Sequence, residues 1–209
     1  MKIAVIAGTK VDTQFGADIL NKYNVETVNL AMSENPNDQT ALQYYSKEQL
    51  NELFNKKIEY AKKNGAEAIF LYCNSLSSIV DYKKSQIKFD IKIVTPLEVY
   101  ENVRGDYIAI MAANGASVSK IDQIITKNNK KTISIGNLEL VKEIEKKITP
   151  KKIANNMNLE ALFNYFKKIH VDKVLLGCTH LYYIKDVLKD YGIEIIDPTQ
   201  KMLEELGIA

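Results

Sequence analysis

Ala68-Ile69-Phe70-Leu71-Tyr72-Cys73-Asn74-Ser75 is an apolar run that ends at a thiol and passes directly into polar residues. Val174-Leu175-Leu176-Gly177-Cys178-Thr179-His180 has the same plan. Each reads as a buried strand, a cysteine at its carboxyl end, a polar cluster and then a helix. The two cysteines stand 105 residues apart and are the only ones in the chain. The interval recurs. Ile3-Ala4-Val5-Ile6-Ala7-Gly8-Thr9 matches Ile108-Ala109-Ile110-Met111-Ala112-Ala113-Asn114 at an offset of 105 residues, and Thr27-Val28-Asn29-Leu30 matches Thr132-Ile133-Ser134-Ile135 at the same offset. Thr95-Pro96 and Asp197-Pro198 repeat at an offset of 102. Such an interval is too long for a solenoid repeat and is the size of a small domain. The pattern therefore predicts a duplicated unit with one thiol at the same point in each half.

Short apolar runs at 3–6, 27–30, 68–72, 92–94, 108–111, 132–135, 173–176 and 194–196 read as strands. Several are apolar almost without interruption, as expected of parallel strands covered on both faces. Between them lie longer amphipathic stretches. Ser46-Lys47-Glu48-Gln49 fits a capping box, and Leu50, Leu53, Phe54, Ile58 and Ala61 then share one helical face that Gly65 would stop. A second helix follows Asn158, with Leu159, Leu162, Phe163 and Phe166 on one face. Alternation of strand and helix predicts an α/β fold of two pseudo-symmetric domains, each a parallel sheet flanked by helices, with the active-site cleft between them. Ligands of such folds bind outside the carboxyl ends of the strands. Cys73, Cys178, Thr9 and Asn114 all fall at such ends, so all four would border one cleft.

Apolar residues make up 46% of the 209, charged residues 26%, and the formal charge is +2. That balance argues against nucleic acid or a membrane surface as partner. Arg104 is the sole arginine, and the many lysines read as a solvated face. Residues 3–9 are followed too soon by Lys10 and Asp12 for a signal peptide, and no apolar stretch approaches the length of a membrane span. Two cysteines do not make a disulfide framework, so reduced thiols in the cytoplasm are expected. Metal binding is not expected, because two cysteines and His180 supply at most three ligands. No Cys-x-x-Cys pair and no phosphate-binding glycine pattern is present.

A thiol at a helix start lies near unpaired N–H groups and the positive end of the helix dipole, and both favour thiolate over thiol. Two such thiols on opposite faces of a substrate suit proton exchange at carbon. One thiolate removes a proton from one face and the other thiol returns one to the opposite face, inverting the centre with no cofactor required. The planar carbanionic intermediate needs fixed N–H and side-chain donors around it.

Cys73-Asn74-Ser75 resembles the first cysteine motif of the aspartate/glutamate racemase superfamily, and Leu176-Gly177-Cys178-Thr179-His180 resembles its second, in the form typical of glutamate racemases. The segment 108–117 and Ile196-Asp197-Pro198-Thr199 are similar as well, so the resemblance covers essentially the whole chain. It implies a cofactor-independent amino-acid racemase acting on a small acidic amino acid, glutamate or aspartate, with two thiols as acid and base. It also implies that the last segment returns to the first domain, giving domains of 1–97 plus 193–209 and of 98–192. By position, Cys73, Cys178 and His180 would be catalytic, with His180 assisting Cys178. Thr9, Asn74, Ser75, Asn114 and Thr179 would bind substrate. Tyr44, in Gln43-Tyr44-Tyr45-Ser46, would match the tyrosine of the Pro-Tyr-Gly segment in glutamate racemases. Racemases of this group are commonly homodimers. One departure stands out. Glutamate racemases carry Asp-Ser-Gly after the first strand, where this chain has Ala7-Gly8-Thr9, with Asp12 nearby. Maleate isomerase-like or hydantoin racemase-like chemistry, or silent binding of an acidic metabolite, are the alternative expectations.

Overall fold

The computed structural model describes residues 1–34, 38 and 41–209. The chain divides into two compact units, Met1–Glu98 with Thr199–Ala209, and Val99–Pro198. In the first, the parallel strands β1 (Lys2–Ala7), β2 (Glu26–Ala31), β3 (Ala68–Leu71) and β4 (Lys92–Val94) stand in the order β2-β1-β3-β4. In the second, β5 (Tyr107–Ala112), β6 (Lys131–Gly136), β7 (Lys173–Gly177) and β8 (Glu194–Ile196) stand in the order β6-β5-β7-β8. The eight apolar runs read from the sequence are these eight strands.

The sequence offset survives as register. Ile3 pairs with Thr27 and Ala68, and Ile108 pairs with Thr132 and Lys173. Every member of the second set stands 105 residues after its counterpart. On the far edge Ala68 pairs with Lys92 and Lys173 with Glu194, where the interval drops to 102. The central strands β1, β3, β5 and β7 are buried along nearly their whole length, which explains their unbroken apolar composition.

Helices α1 (Lys10–Asn21), α2 (Lys47–Lys63), α3 (Asn74–Ile79) and α4 (Tyr82–Phe89) belong to the first unit, and α5 (Pro96–Tyr100) carries the chain into the second. The second holds α6 (Gly115–Thr126), α7 (Leu138–Glu145), α8 (Pro150–Asn156), α9 (Leu159–Lys168) and α10 (Lys185–Lys189). Helix α11 (Thr199–Leu206) returns to the first unit. Ser46 starts α2 as expected: its Oγ accepts from Gln49 N at 3.2 Å and Gln49 Oε1 accepts from Ser46 N at 2.8 Å. Gly65 follows with φ +81°, the left-handed stop a glycine adopts without steric cost. In the second unit the Asp172 carboxylate accepts from the N–H groups of Tyr107 and Asp106 at 2.8 Å each. Those donors hold its pKa below the ordinary aspartate value.

The return point differs from the expectation of residue 193. β8 hydrogen-bonds to β7, so residues up to Pro198 stay with the second unit. Only α11 goes back, burying Met202, Leu203 and Leu206. It packs against β3 and β4, and the hydroxyls of Tyr72 and Thr199 lie 3.4 Å apart.

The two units seat their first helix by opposite choices of size. In the first, Gly16 of α1 lies so close to the sheet that a Cβ there would meet Val5 Cγ1 at 2.7 Å and Tyr72 Cδ1 at 3.1 Å. In the second, the residues 105 further on are Ile121, on α6, and Gly177, on β7. A Cβ on Gly177 would meet Ile121 Cδ1 at 2.7 Å. The contact is the same, with large and small exchanged between helix and sheet. Gly16→Val is expected to cost roughly 1–3 kcal/mol of stability by overpacking, even though valine suits a helix no worse than glycine. Urea unfolding of the variant against the parent measures it, and an unchanged midpoint would show that α1 can lift off the sheet freely.

Candidate active site

In the first unit, three backbone ends meet at the carboxyl edge of the sheet. Thr9 follows β1 in extended conformation and caps α1, its Oγ1 accepting from Asp12 N at 3.2 Å. Asp12 is buried, and its Oδ2 accepts from Gly8 N at 3.3 Å. The carboxylate therefore pins the loop that lacks the Asp-Ser-Gly sequence. Ser33 donates from Oγ to Gly8 O at 2.6 Å on the other side. Cys73 is the residue before α3, 2% exposed, with backbone in the extended region. Its Sγ lies 3.3 Å from Ser75 Oγ. Ser77 Oγ donates to Cys73 O at 2.6 Å and Ser78 Oγ to Ser75 O at 2.6 Å, so hydroxyls brace the first turn. Asn74 is buried beside them. Tyr44 ends the short turn Leu42–Tyr44 and is 88% exposed. Lys10, the first residue of α1, is ion-paired with Glu34.

In the second unit the corresponding elements carry different chemistry. Asn114 follows β5 and caps α6, its Oδ1 accepting from Ser117 N at 3.0 Å and Ser117 Oγ at 3.1 Å. The backbone of Asn114 rests on Gly136 at the end of β6, where a Cβ would come within 2.9 Å of the Asn114 carbonyl carbon. The side chain's NH₂ group supplies two donors of the kind a carboxylate accepts. Cys178 is 7% exposed, with Thr179 and His180 buried after it. Cys178 Sγ lies 3.7 Å from His180 Nδ1, and His180 Nε2 lies 2.8 Å from Glu145 Oε1.

The sequence predicts a polar cluster and then a helix after Cys178. Residues Thr179–Ile184 instead form a 3₁₀ helix before α10 begins. At three residues per turn, residues i and i+3 share a face. Leu181 and Ile184 are thus buried together, while His180 and Tyr183 reach the last residue of α7 and the turn that follows it. His180 reaches Glu145, and Tyr183 Oη donates to Ile148 O at 3.2 Å. The tighter helix lets both side chains dock on one neighbour.

Glu145 was not singled out from the sequence. In Lys142-Glu143-Ile144-Glu145-Lys146-Lys147 it looks like one more solvated charge. Its side chain is only 11% exposed. One signal was available: Glu145 is the last residue of α7, and a carboxylate at a helix C-terminus opposes the helix dipole. A residue kept there against its local electrostatics has a partner elsewhere, and here that partner is a buried imidazole.

No family model matches the chain. The glutamate racemase of Clostridium perfringens is 26% identical over 161 residues, which are 71% of this chain and 61% of that enzyme. The chain thus matches about three fifths of the length of that relative. Among solved structures, glutamate racemase from Francisella tularensis in complex with D-glutamate superposes with a TM-score of 0.71 at 16% identity, covering 99% of this chain and 79% of that one. An aspartate racemase homologue from Pyrococcus horikoshii superposes with a TM-score of 0.71 at 13% identity, covering 99% of both chains. The chain is thus similar in sequence to glutamate racemases and shares the fold of solved glutamate and aspartate racemases.

Proposed function

We propose that the chain is a cofactor-independent racemase of an acidic amino acid, aspartate or glutamate, with Cys73 and Cys178 as its acid and base. The observation that carries this reading is the pairing of each thiol with a hydrogen-bonding partner at the same point of a repeated fold: Ser75 for Cys73, His180 for Cys178. A cysteine that serves a core only by packing has no need of such a partner.

In one direction the Cys73 thiolate takes the α-proton, forming an S–H bond as the C–H bond breaks. The electron pair stays on the planar α-carbon. The Cys178 thiol then gives its proton to the opposite face, and its sulfur keeps the electron pair. One proton enters and one leaves, so the substrate is inverted and the enzyme ends in the complementary protonation state. The other enantiomer runs the same steps from Cys178 to Cys73. Thr9, Asn74, Ser75, Asn114 and Thr179 hold the substrate's ionic groups, with Tyr44 at the margin. Their hydroxyl and amide donors, and the N–H groups that follow each cysteine, offset the negative charge that develops on the carboxylate of the intermediate. Exclusion of water strengthens those interactions.

The test is incubation of the protein with each enantiomer of aspartate and of glutamate in D₂O without added cofactor. Proton NMR reads loss of the α-hydrogen and chiral chromatography reads inversion. The expected result is inversion of one pair of enantiomers with deuterium at Cα in the product. Saturable binding without exchange would replace the reading with that of a silent binder.

A further inference from the structure

We infer that Ser75 is a positioning residue for Cys73, whose hydroxyl keeps that sulfur hydrogen-bonded both as thiol and as thiolate, so that the two thiols are served by unlike partners. The catalytic use of this difference rests on the racemase reading above; the difference itself is a property of the free chain.

β3 and β7 hold the same place in their sheets, and Cys73 and Cys178 follow them in the same way. The residue two positions on is Ser75 in one unit and His180 in the other. Their atoms lie 3.3 Å and 3.7 Å from the respective sulfurs. A hydroxyl is one donor on a free rotor and two acceptor lone pairs. With Cys73 protonated, S–H donates to Ser75 Oγ. With Cys73 as thiolate, the hydroxyl turns and donates to sulfur. No proton changes hands, because serine does not titrate in this range. The hydrogen bonds from Ser77 to Cys73 O and from Ser78 to Ser75 O hold the backbone that sets the contact.

His180 works differently. The Glu145 carboxylate at 2.8 Å accepts from Nε2–H, which leaves Nδ1 as the acceptor facing Cys178. When Cys178 gives up its proton to this nitrogen, the imidazolium lies between thiolate and carboxylate, and the proton stays within the cluster.

For a racemase the consequence is directional. Enantiomers have equal free energy, so kcat/KM is the same for both. The unlike partners therefore appear as a difference in kcat, matched by one in KM, with an additional ionisation in the direction that starts from Cys178.

The test uses the intact chain without substrate. [3-¹³C]Cysteine labelling gives two Cβ resonances, assigned with Cys73→Ala and Cys178→Ala, and each is followed against pH. In Ser75→Ala the Cys73 titration is expected to move to higher pH, because the thiolate loses a donor. The Cys178 resonance is expected to stay where it was, which also reports an intact fold. Ser75→Thr, which keeps the hydroxyl, is expected to restore the Cys73 titration. An unmoved Cys73 midpoint in Ser75→Ala, a failure of Ser75→Thr to restore it, or movement of both cysteines together would overturn the inference. None of these readouts involves turnover, so absence of racemisation would count against the proposed function alone.

Discussion

In the proposed reaction, Cys73→Ala and Cys178→Ala are each expected to lose inversion of the substrate, by on the order of 10²–10⁴-fold in kcat/KM, yet each to keep half of the exchange chemistry. A two-thiol reaction makes this split unavoidable. Without Cys178, the Cys73 thiolate still faces one side of the α-carbon. It can remove the proton of the enantiomer that presents it there, exchange with D₂O and return a deuteron to the same face. Without Cys73, Cys178 does the same to the other enantiomer. Each variant should therefore wash deuterium into one enantiomer with retention, and the two variants should choose opposite ones. Chiral separation followed by mass spectrometry reads both properties together. Inversion surviving in either variant, or exchange of both enantiomers by a single variant, would mean that one base serves both faces. The substitution is a mild one for the fold. Both cysteines are buried, at 2% and 7% exposure, and each is flanked by backbone that other groups hold in place.

The residues that make this prediction possible were legible because strand ends are legible. A parallel strand covered on both faces must be apolar throughout, so the first polar residue marks its end. Cys73 and Cys178 stand at such ends, and the 105-residue offset reappears as strand register. Thr9 and Asn114 were legible for the same reason, and both cap the helix that follows. What the sequence concealed depends on packing between distant segments. The exchange of Gly16 and Tyr72 for Ile121 and Gly177 keeps a contact while changing all its members, so no likeness between the halves announces it. The 3₁₀ helix after Cys178 is set by where His180 and Tyr183 dock, which lies more than thirty residues away in sequence. β8 stays with the second unit because of its hydrogen bonds to β7, whereas the local sequence around residue 193 offers no choice between the units.

Glu145 is the residue for which local and tertiary forces disagree most, and it carries the second large effect. Glu145→Gln is expected to lower kcat roughly 10²-fold while leaving thermal stability unchanged or slightly raised. The stability half follows from position. Glu145 ends α7, where a negative charge is unfavourable by typically 0.3–1 kcal/mol, and glutamine removes that charge while keeping an oxygen that can accept from His180 Nε2. The activity half follows from charge. In the proposed mechanism a neutral amide would orient the imidazole but would not stabilise the imidazolium formed when Cys178 releases its proton to Nδ1. His180→Asn removes the proton carrier itself and should cost at least as much. Because the carboxylate acts only through the ring, the two losses should not add: Glu145→Gln placed on His180→Asn should change kcat little further. Initial rates for the two single variants and the double variant close the cycle. Additive losses would show that Glu145 reaches the reaction by a route other than His180. A fall in melting temperature equal to the loss of activity would show that it serves the fold and not the proton.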